Sequence, residues 1–178
     1  MKRLAAVIGL LAIAGCAQEK RAEVETDLRK QLSPGCYTVD LFDPYTIEYP
    51  GPDVPEDARA FLGVWKNGAW GGHWCHDLYI TRAFADGSVE LLDAYGPFRQ
   101  AGIEATVFKR KGRVKDGVLT FRSQNGSLVE YRIVDDYLVG QRRGTLGKFE
   151  ITMSREDGLG IMPAVAQVPM PPRKPVRS

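Results

Sequence analysis

The sequence of 178 residues predicts an all-β fold, an eight-stranded antiparallel up-and-down barrel over residues 61–157. Short segments with alternating apolar and polar residues recur there, and a turn signal separates each from the next. Pairs such as Asp86-Gly87, Asp116-Gly117 and Asn125-Gly126 supply the positive φ angles that tight hairpins need. No helical pattern separates the segments, which argues against parallel crossover units. We expect the meander to close, because closure removes exposed strand edges.

Eight segments carry the strand pattern. They are Phe61–Lys66, Gly72–Phe84, Ser88–Tyr95, Glu104–Gly112, Val118–Ser123, Ser127–Val134, Tyr137–Arg143 and Lys148–Ser154. A spacing of two residues predicts which side chains point inward. The predicted inward face comprises Leu78, Ile80, Val89, Leu91, Ala105, Val107, Leu119, Phe121, Val129, Tyr131, Ile133, Phe149, Ile151 and Met153. The same face is predicted to carry three polar residues, Asp93, Tyr95 and Arg142.

Residues 1–15 have the features of a bacterial signal peptide. Lys2 and Arg3 form a positive n-region, and the apolar stretch after them is too short to span a bilayer. The stretch ends in Ile13-Ala14-Gly15-Cys16, which resembles a lipobox. We therefore predict that Cys16 carries acyl chains such as palmitate; an ordinary secretory signal with a chance cysteine is the alternative. Because Ala17 follows instead of Asp, we expect a lipoprotein of the outer membrane that faces the periplasm.

Two further segments flank the predicted barrel. Residues 16–60 are predicted to form a stalk with short helices, and residues 158–178 form a Pro-rich tail. The formal net charge of +2 belongs to Lys2 and Arg3, so the mature chain is neutral. Neutrality argues against a nucleic-acid partner, which requires a basic surface.

Cysteine usage predicts one disulfide. If Cys16 is lipidated, Cys36 and Cys75 remain, and an oxidising compartment favours their pairing. The bond would close a loop of roughly 40 residues and contribute about 3–4 kcal/mol. Two unpaired, buried thiols are the alternative.

The start of the predicted barrel carries a recognisable motif. A short helix over Pro55–Ala60 is followed by Phe61-Leu62-Gly63-Val64-Trp65, and Arg155 lies on the last strand. This arrangement resembles the calycin superfamily, which contains lipocalins, fatty-acid-binding proteins, avidins and small protease inhibitors. The resemblance implies that Arg155 stacks on the Trp65 ring and closes the bottom of the barrel, which is a structural role.

A second set of motifs is similar to lipocalin-like bacterial domains, found alone or beside secreted hydrolases. The matching residues, in order, are Trp65, Trp70, Leu78, Ile80, Asp86-Gly87, Ala94-Tyr95-Gly96, Asp116-Gly117-Val118-Leu119 and Tyr131-Arg132. Tyr95 stands where that family often has Trp, and Cys75 in the second strand is a further departure. Such domains share no settled activity, so the resemblance implies a lipocalin-like fold more than a function.

Arg142 is the strongest candidate for ligand binding. It falls on the inward face of the seventh strand, and a buried guanidinium needs an anion. The anion is either a ligand group, held as fatty-acid carriers of the calycin superfamily hold theirs, or the internal carboxylate of Asp93. Exposure at the open end is a third alternative. Tyr95 and Tyr131 are predicted to add hydrogen bonds, and Trp74 either lines the pocket or fills the core.

The sequence gives little support for a catalytic site or a metal site. His73, Cys75 and His76 lie within four residues, but one strand cannot direct all three at a single ion. We expect histidines that are exposed or at the rim, beside a disulfide. The sequence has no Gly-x-Ser-x-Gly elbow, no recognisable triad context and no phosphate loop. We therefore predict no catalytic residue, no metal site and no cofactor.

A basic run, Lys109-Arg110-Lys111 with Arg113 and Lys115, is expected near a hairpin. It is either a solvated turn or a surface that touches anionic lipid headgroups or a partner.

These patterns predict a non-catalytic protein, anchored to the membrane by lipid, that binds a small apolar or anionic ligand in its barrel. The alternative is a protein-binding barrel, such as a periplasmic protease inhibitor or an envelope interaction module. Small calycin inhibitors also open with Gly-x-Trp followed by a Cys, and residues 16–60 are long enough to reach into a protease cleft. A hollow interior would favour the first function and a filled interior the second.

Overall fold

The computed structural model describes residues 20–21, 24–36, 38, 45–145 and 147–156. The predicted signal peptide, Cys16 and the Pro-rich tail lie outside these residues. Within them the predicted fold class is confirmed, because eight antiparallel strands form a closed barrel in sequence order. The strands are β1 (Gly63–Trp70), β2 (Trp74–Ala83), β3 (Ser88–Tyr95), β4 (Thr106–Lys115), β5 (Val118–Arg122), β6 (Leu128–Val134), β7 (Tyr137–Gly144) and β8 (Gly147–Arg155).

Hairpins define the two ends of the barrel. The end that carries the β1–β2, β5–β6 and β7–β8 hairpins and the β3–β4 loop is called the upper end. The β3–β4 loop contains a 3-10 helix, Arg99–Ala101. The other hairpins lie at the lower end, where Gly87 and the Asp116-Gly117 pair have the positive φ angles that the sequence predicts. At the same end the barrel closes, since β1 pairs with β8 through Trp65 and Arg155.

A short helix, α1 (Glu56–Phe61), covers the lower end. Trp65 is fully buried beneath it and donates its indole N–H to the Phe61 carbonyl at 2.9 Å. The Arg155 guanidinium lies 4.1 Å from the centre of the Trp65 ring and donates to the carbonyls of Leu62 and Ala60. These contacts satisfy carbonyls at the helix end that have no partner within the helix. The lower interior is filled by large side chains that are less than 2% exposed: Phe61, Trp65, Leu78, Ile80, Leu138 and Met153.

The segment before the barrel is bonded to the outer wall. The predicted disulfide is confirmed between Cys36 and Cys75, whose Cα atoms are 5.4 Å apart. Next to it, the Thr38 hydroxyl donates to the carboxylate of Asp77 on β2 at 2.7 Å. Residues 24–30 are helical, and Gln31 accepts a hydrogen bond from Thr152 of β8. No helix among the described residues is both long and apolar enough to cross a membrane.

The predicted inward face is wrong for β4 by one residue. Val107 is 39% exposed, whereas Phe108 and Val114 pack against the core. The error arises because Arg110 points inward between Lys109 and Lys111, which point outward. Cations on both faces conceal the alternation on which the prediction depends.

The hydrogen-bonded ladder between β4 and β5 is short compared with the ladder on the other side of β4. β4 pairs with β3 along eight residues, from Thr106 to Arg113. In the described chain its ladder with β5 is confined to Arg113, Val114 and Lys115, at the lower end. The upper halves of these strands therefore diverge, and side chains line the space between them.

Candidate functional site

Two adjoining cavities occupy the upper end of the barrel. The smaller has a volume of about 220 Å³ and is lined by Trp70, His73, Phe98 and Phe149, among others. The larger has a volume of about 410 Å³ and is lined by Tyr95, Thr106, Phe108 and residues of the β5–β6 hairpin. Both cavities are also lined by Trp74, Ile103, Asn125 and Arg142. The larger cavity lies beside the upper part of β4, where the ladder between β4 and β5 has ended.

Arg142 lines both cavities, and one of its hydrogen-bond donors has no acceptor among the described residues. The residue is 8% exposed, and its Nη2 atom donates to the Asn125 Oδ1 at 3.1 Å. The Nη1 atom is buried and has no partner among the described residues. The guanidinium lies 5.3 Å from the centre of the Trp74 ring and 5.9 Å from that of Tyr95. Because a buried cation without a counter-charge is costly, this arrangement is suited to an incoming anion.

Asp93, the predicted internal partner of Arg142, is bound to other residues. It is fully buried on β3, and its Oδ2 accepts from the Tyr95 hydroxyl at 3.2 Å. The same oxygen accepts from Arg110 Nε at 3.5 Å, an ion pair that the sequence did not indicate. Burial raises the pKa of Asp93 to about 6, although Tyr95 and Arg110 favour its charged form.

His76 lies inside the barrel beneath the cavities, so the expectation of a rim or exposed position is wrong for this residue. It is fully buried, with its Nε2 3.0 Å from the Tyr131 hydroxyl and 3.7 Å from Asp93 Oδ1. Burial lowers the pKa of His76 to about 3, which makes the ring neutral at physiological pH. His73 is exposed at the β1–β2 hairpin and hydrogen bonds to the Gly71 carbonyl. Among the described residues no three His, Cys, Asp or Glu side chains are grouped to hold a metal ion.

Several buried polar atoms in the upper half of the barrel have no hydrogen-bond partner. Among the described residues they are Trp70 Nε1, His76 Nδ1, Asp93 Oδ1, Arg110 Nη2 and Arg142 Nη1. Buried polar groups are normally paired with protein, water or ligand, so these atoms have hydrogen-bonding capacity that the protein alone does not satisfy. Trp70 and Arg142 both line the smaller cavity, and both present donors. A molecule that fills this cavity and satisfies both donors must offer a hydrogen-bond acceptor.

Aromatic rings form the apolar wall of the site. Trp74 lies 4.8 Å from Tyr95 and stacks on Phe98 with ring centres 5.7 Å apart. Its indole N–H donates to the Gly96 carbonyl at 3.0 Å, which fixes the ring at the mouth. Phe98 and Ile103 pair across the β3–β4 loop, and both line the smaller cavity.

The structure brings together three of the four residues predicted to bind ligand. Arg142, Tyr95 and Trp74 line the larger cavity. Tyr131 lies below, fully buried and bonded to His76, and it lines neither cavity. Its ring packs where Gly140 leaves space on β7, since a Cβ atom at that glycine would overlap the ring.

Asn125 is a site residue that the sequence marks only as part of a turn. Its Oδ1 accepts from Ser123 and Ser127 as well as from Arg142, so the β5–β6 hairpin positions the guanidinium. The Asn125-Gly126 pair indicates the hairpin, but the contact of its side chain with Arg142 depends on the register between β6 and β7, which pairs Val129 with Arg142.

Neither the comparison with protein-family models nor the comparison with curated proteins finds a match for this chain.

Proposed function

We propose that this protein binds a small, largely apolar molecule that carries one anionic group, and that it does so without chemical transformation. The observation that carries the proposal is Arg142, which lines both cavities and whose buried Nη1 atom has no hydrogen-bond partner among the described residues. Asp93 attracts this cation from a distance but forms no ion pair with it among the described residues, because its carboxylate is paired with Arg110. A carboxylate or similar anion would supply the missing acceptor and charge.

The polar end of the ligand is expected to lie in the smaller cavity. There it would accept hydrogen bonds from Arg142 Nη1 and Trp70 Nε1, while Asn125 holds the other side of the guanidinium. Hydrogen bonds between ionised groups are shorter and stronger than neutral ones, and exclusion of water strengthens them further. Arg142 therefore orients the ligand as well as binding it.

The apolar end of the ligand would contact Trp74, Tyr95 and Phe108 in the larger cavity. The lower interior is packed with side chains such as Trp65, which prevents a long chain from threading to the bottom of the barrel. Ligand pockets for drug-sized molecules are roughly 300–1,000 Å³, and the larger cavity lies within that range. A compact hydrophobic acid fits these dimensions better than an extended one.

Native mass spectrometry of the gently extracted protein tests this proposal. We expect a bound species of small mass that dissociates on activation and is lost in the Arg142→Gln variant. The Arg143→Gln variant, which changes an exposed neighbour, is expected to retain it. A wild-type protein that carries no ligand, and that takes up none from a mixture of hydrophobic acids, would favour the protein-binding alternative.

We further propose that the chain is an outer-membrane lipoprotein of the calycin superfamily, anchored through acylated Cys16 and facing the periplasm. The lipobox pattern supports the anchor, and the Cys36–Cys75 disulfide fits an oxidising compartment. The stacking of Arg155 on Trp65 supports the superfamily. Labelled palmitate should enter the wild-type chain in a bacterial host and should not enter the Cys16→Ala variant. Equal labelling of both chains, or of neither, would contradict the anchor.

A further inference from the structure

The outer face of β4 carries a continuous row of four cations, Lys109, Lys111, Arg113 and Lys115. All four are exposed, because strand residues two apart point to the same side. Neighbouring members are about 7 Å apart along the strand, and the row is about 20 Å long. That spacing is shorter than the Debye length of about 8 Å at physiological salt, so their potentials add. We call this row the basic β4 face.

Little of this charge is neutralised by the residues around it. Glu90 on β3 lies 3.6 Å from Lys111, whose side chain remains 83% exposed. Arg113 donates to the backbone carbonyl of Asp86 at 3.1 Å and is attracted to the Asp86 carboxylate, but the two side chains form no ion pair. Arg122, exposed on neighbouring β5, adds a further cation. The barrel therefore presents a local positive surface, although the mature chain is neutral.

Exposed aliphatic side chains continue this surface at the upper end of the barrel. Val107 is 39% exposed and Ile103 is 38% exposed, and both precede Lys109 closely in the chain. Cations beside exposed apolar residues are characteristic of binding to an anionic lipid interface. Surfaces for single-stranded nucleic acid instead combine cations with stacking aromatic rings. The two aliphatic residues therefore favour a lipid surface as the partner.

We propose that the basic β4 face docks the barrel on an anionic lipid surface. Lys109, Lys111 and the lower cations contact the headgroups, while Val107 and Ile103 enter the headgroup layer. Ile103 also lines both upper cavities, so docking places their opening next to the lipid. The docking does not depend on the lipid anchor or on the ligand of the barrel, because different residues carry it.

Vesicle sedimentation of the full chain tests the docking. Affinity is measured for vesicles of phosphatidylcholine and for vesicles of phosphatidylcholine mixed with phosphatidylglycerol. The ratio of the two affinities is the readout, because a lipid anchor contributes equally to both. A cation near an anionic surface contributes roughly a fivefold gain in affinity. The variant Lys109→Gln/Lys111→Gln should therefore lower the ratio about 25-fold.

The control variant is Arg143→Gln/Lys148→Gln, which removes the same charge from exposed positions on β7 and β8. It should leave the ratio nearly unchanged, and added salt should abolish the preference of the wild type. The proposal is overturned if the wild type shows no preference or if both variants lose it equally. Binding to single-stranded DNA that is lost in the β4 variant, without binding to vesicles, would also overturn it. Far-UV circular dichroism verifies that both variants are folded.

Discussion

The contribution of Asp93 to the stability of the barrel should fall as pH rises above about 4, because this fully buried carboxyl must ionise inside the fold. Burial raises the pKa of this carboxyl from 3.8 to about 6, so the folded state favours the neutral form. The stability contributed by neutral Asp93 is fully present below the pKa that this carboxyl has in the unfolded state. It is lost as pH rises through the pKa of Asp93 in the folded state. The perturbation that isolates it is Asp93→Asn, which retains the shape and removes the ionisation.

The magnitude follows from the two pKa values. One pKa unit corresponds to about 1.4 kcal/mol, so ionising Asp93 in the fold costs about 3 kcal/mol. About 2 kcal/mol of this loss in the free energy of unfolding should occur between pH 4 and about 7.5, and the rest should occur below pH 4. The attraction between ionised Asp93 and Arg110 is already included in the folded-state pKa, so Asp93→Asn removes it together with the ionisation. The diagnostic quantity is therefore the change with pH of the difference in unfolding free energy between the two proteins.

Urea unfolding with the disulfide intact, at a series of pH values, measures this difference. Asp86→Asn is the matched control, because hydrogen bonds from Ser88 lower the pKa of the exposed Asp86. The difference in unfolding free energy between the wild type and Asp86→Asn should change with pH in the opposite direction. The stability that ionised Asp86 contributes is lost as pH falls. Parallel stability curves for the wild type and Asp93→Asn would refute the conclusion that a carboxyl is buried in the barrel at a cost.

Other substitutions test the framework of the barrel. Replacing both Cys36 and Cys75 by Ala should lower the unfolding free energy by about 4 kcal/mol in urea unfolding, because the bond closes a long loop. Arg155→Ala should lower the unfolding free energy by about 2–3 kcal/mol, because carbonyls at the helix end lose their donor. Arg155→Lys should lower it less, because the ammonium group can still donate to these carbonyls. Gly140→Ala should lower the melting temperature through a cost of about 1–3 kcal/mol, because its Cβ meets Tyr131. A stabilised or unchanged protein in any of these cases would contradict the packing described.

The strand pattern was predictable because it depends on local chemistry. Alternation within Ser88–Tyr95 and Tyr137–Arg143, with Asx-Gly pairs between strands, requires no tertiary information. The boundaries were less predictable, since β1 extends to Trp70 instead of ending at Lys66. Its extension depends on pairing with β2, whose partner residues lie beyond the hairpin.

The polar layer inside the barrel was only partly predictable. A spacing of two from Leu78 and Ile80 is the signal that could have placed His76 on the inward face, although the prediction put it at the rim or in solvent. Its depth depends on the Trp70–Trp74 hairpin above it. Arg110 was concealed by the cations on either side of it. Whether Asp93 pairs with Arg110 or Arg142 is decided by the curvature of the closed barrel, which no local pattern encodes.

The most direct test of the central claim compares matched ligands on matched proteins. Fluorescence displacement of anilinonaphthalene sulfonate measures the affinities of a hydrophobic carboxylate and of the corresponding alcohol. The wild type should prefer the carboxylate roughly 10- to 100-fold, as a charged hydrogen bond of about 1.5–3 kcal/mol requires. In Arg142→Gln the preference should disappear while the affinity for the alcohol changes little. Equal affinity of the wild type for both ligands, or a preference that survives in Arg142→Gln, would contradict the assignment of Arg142 as the anion-binding residue.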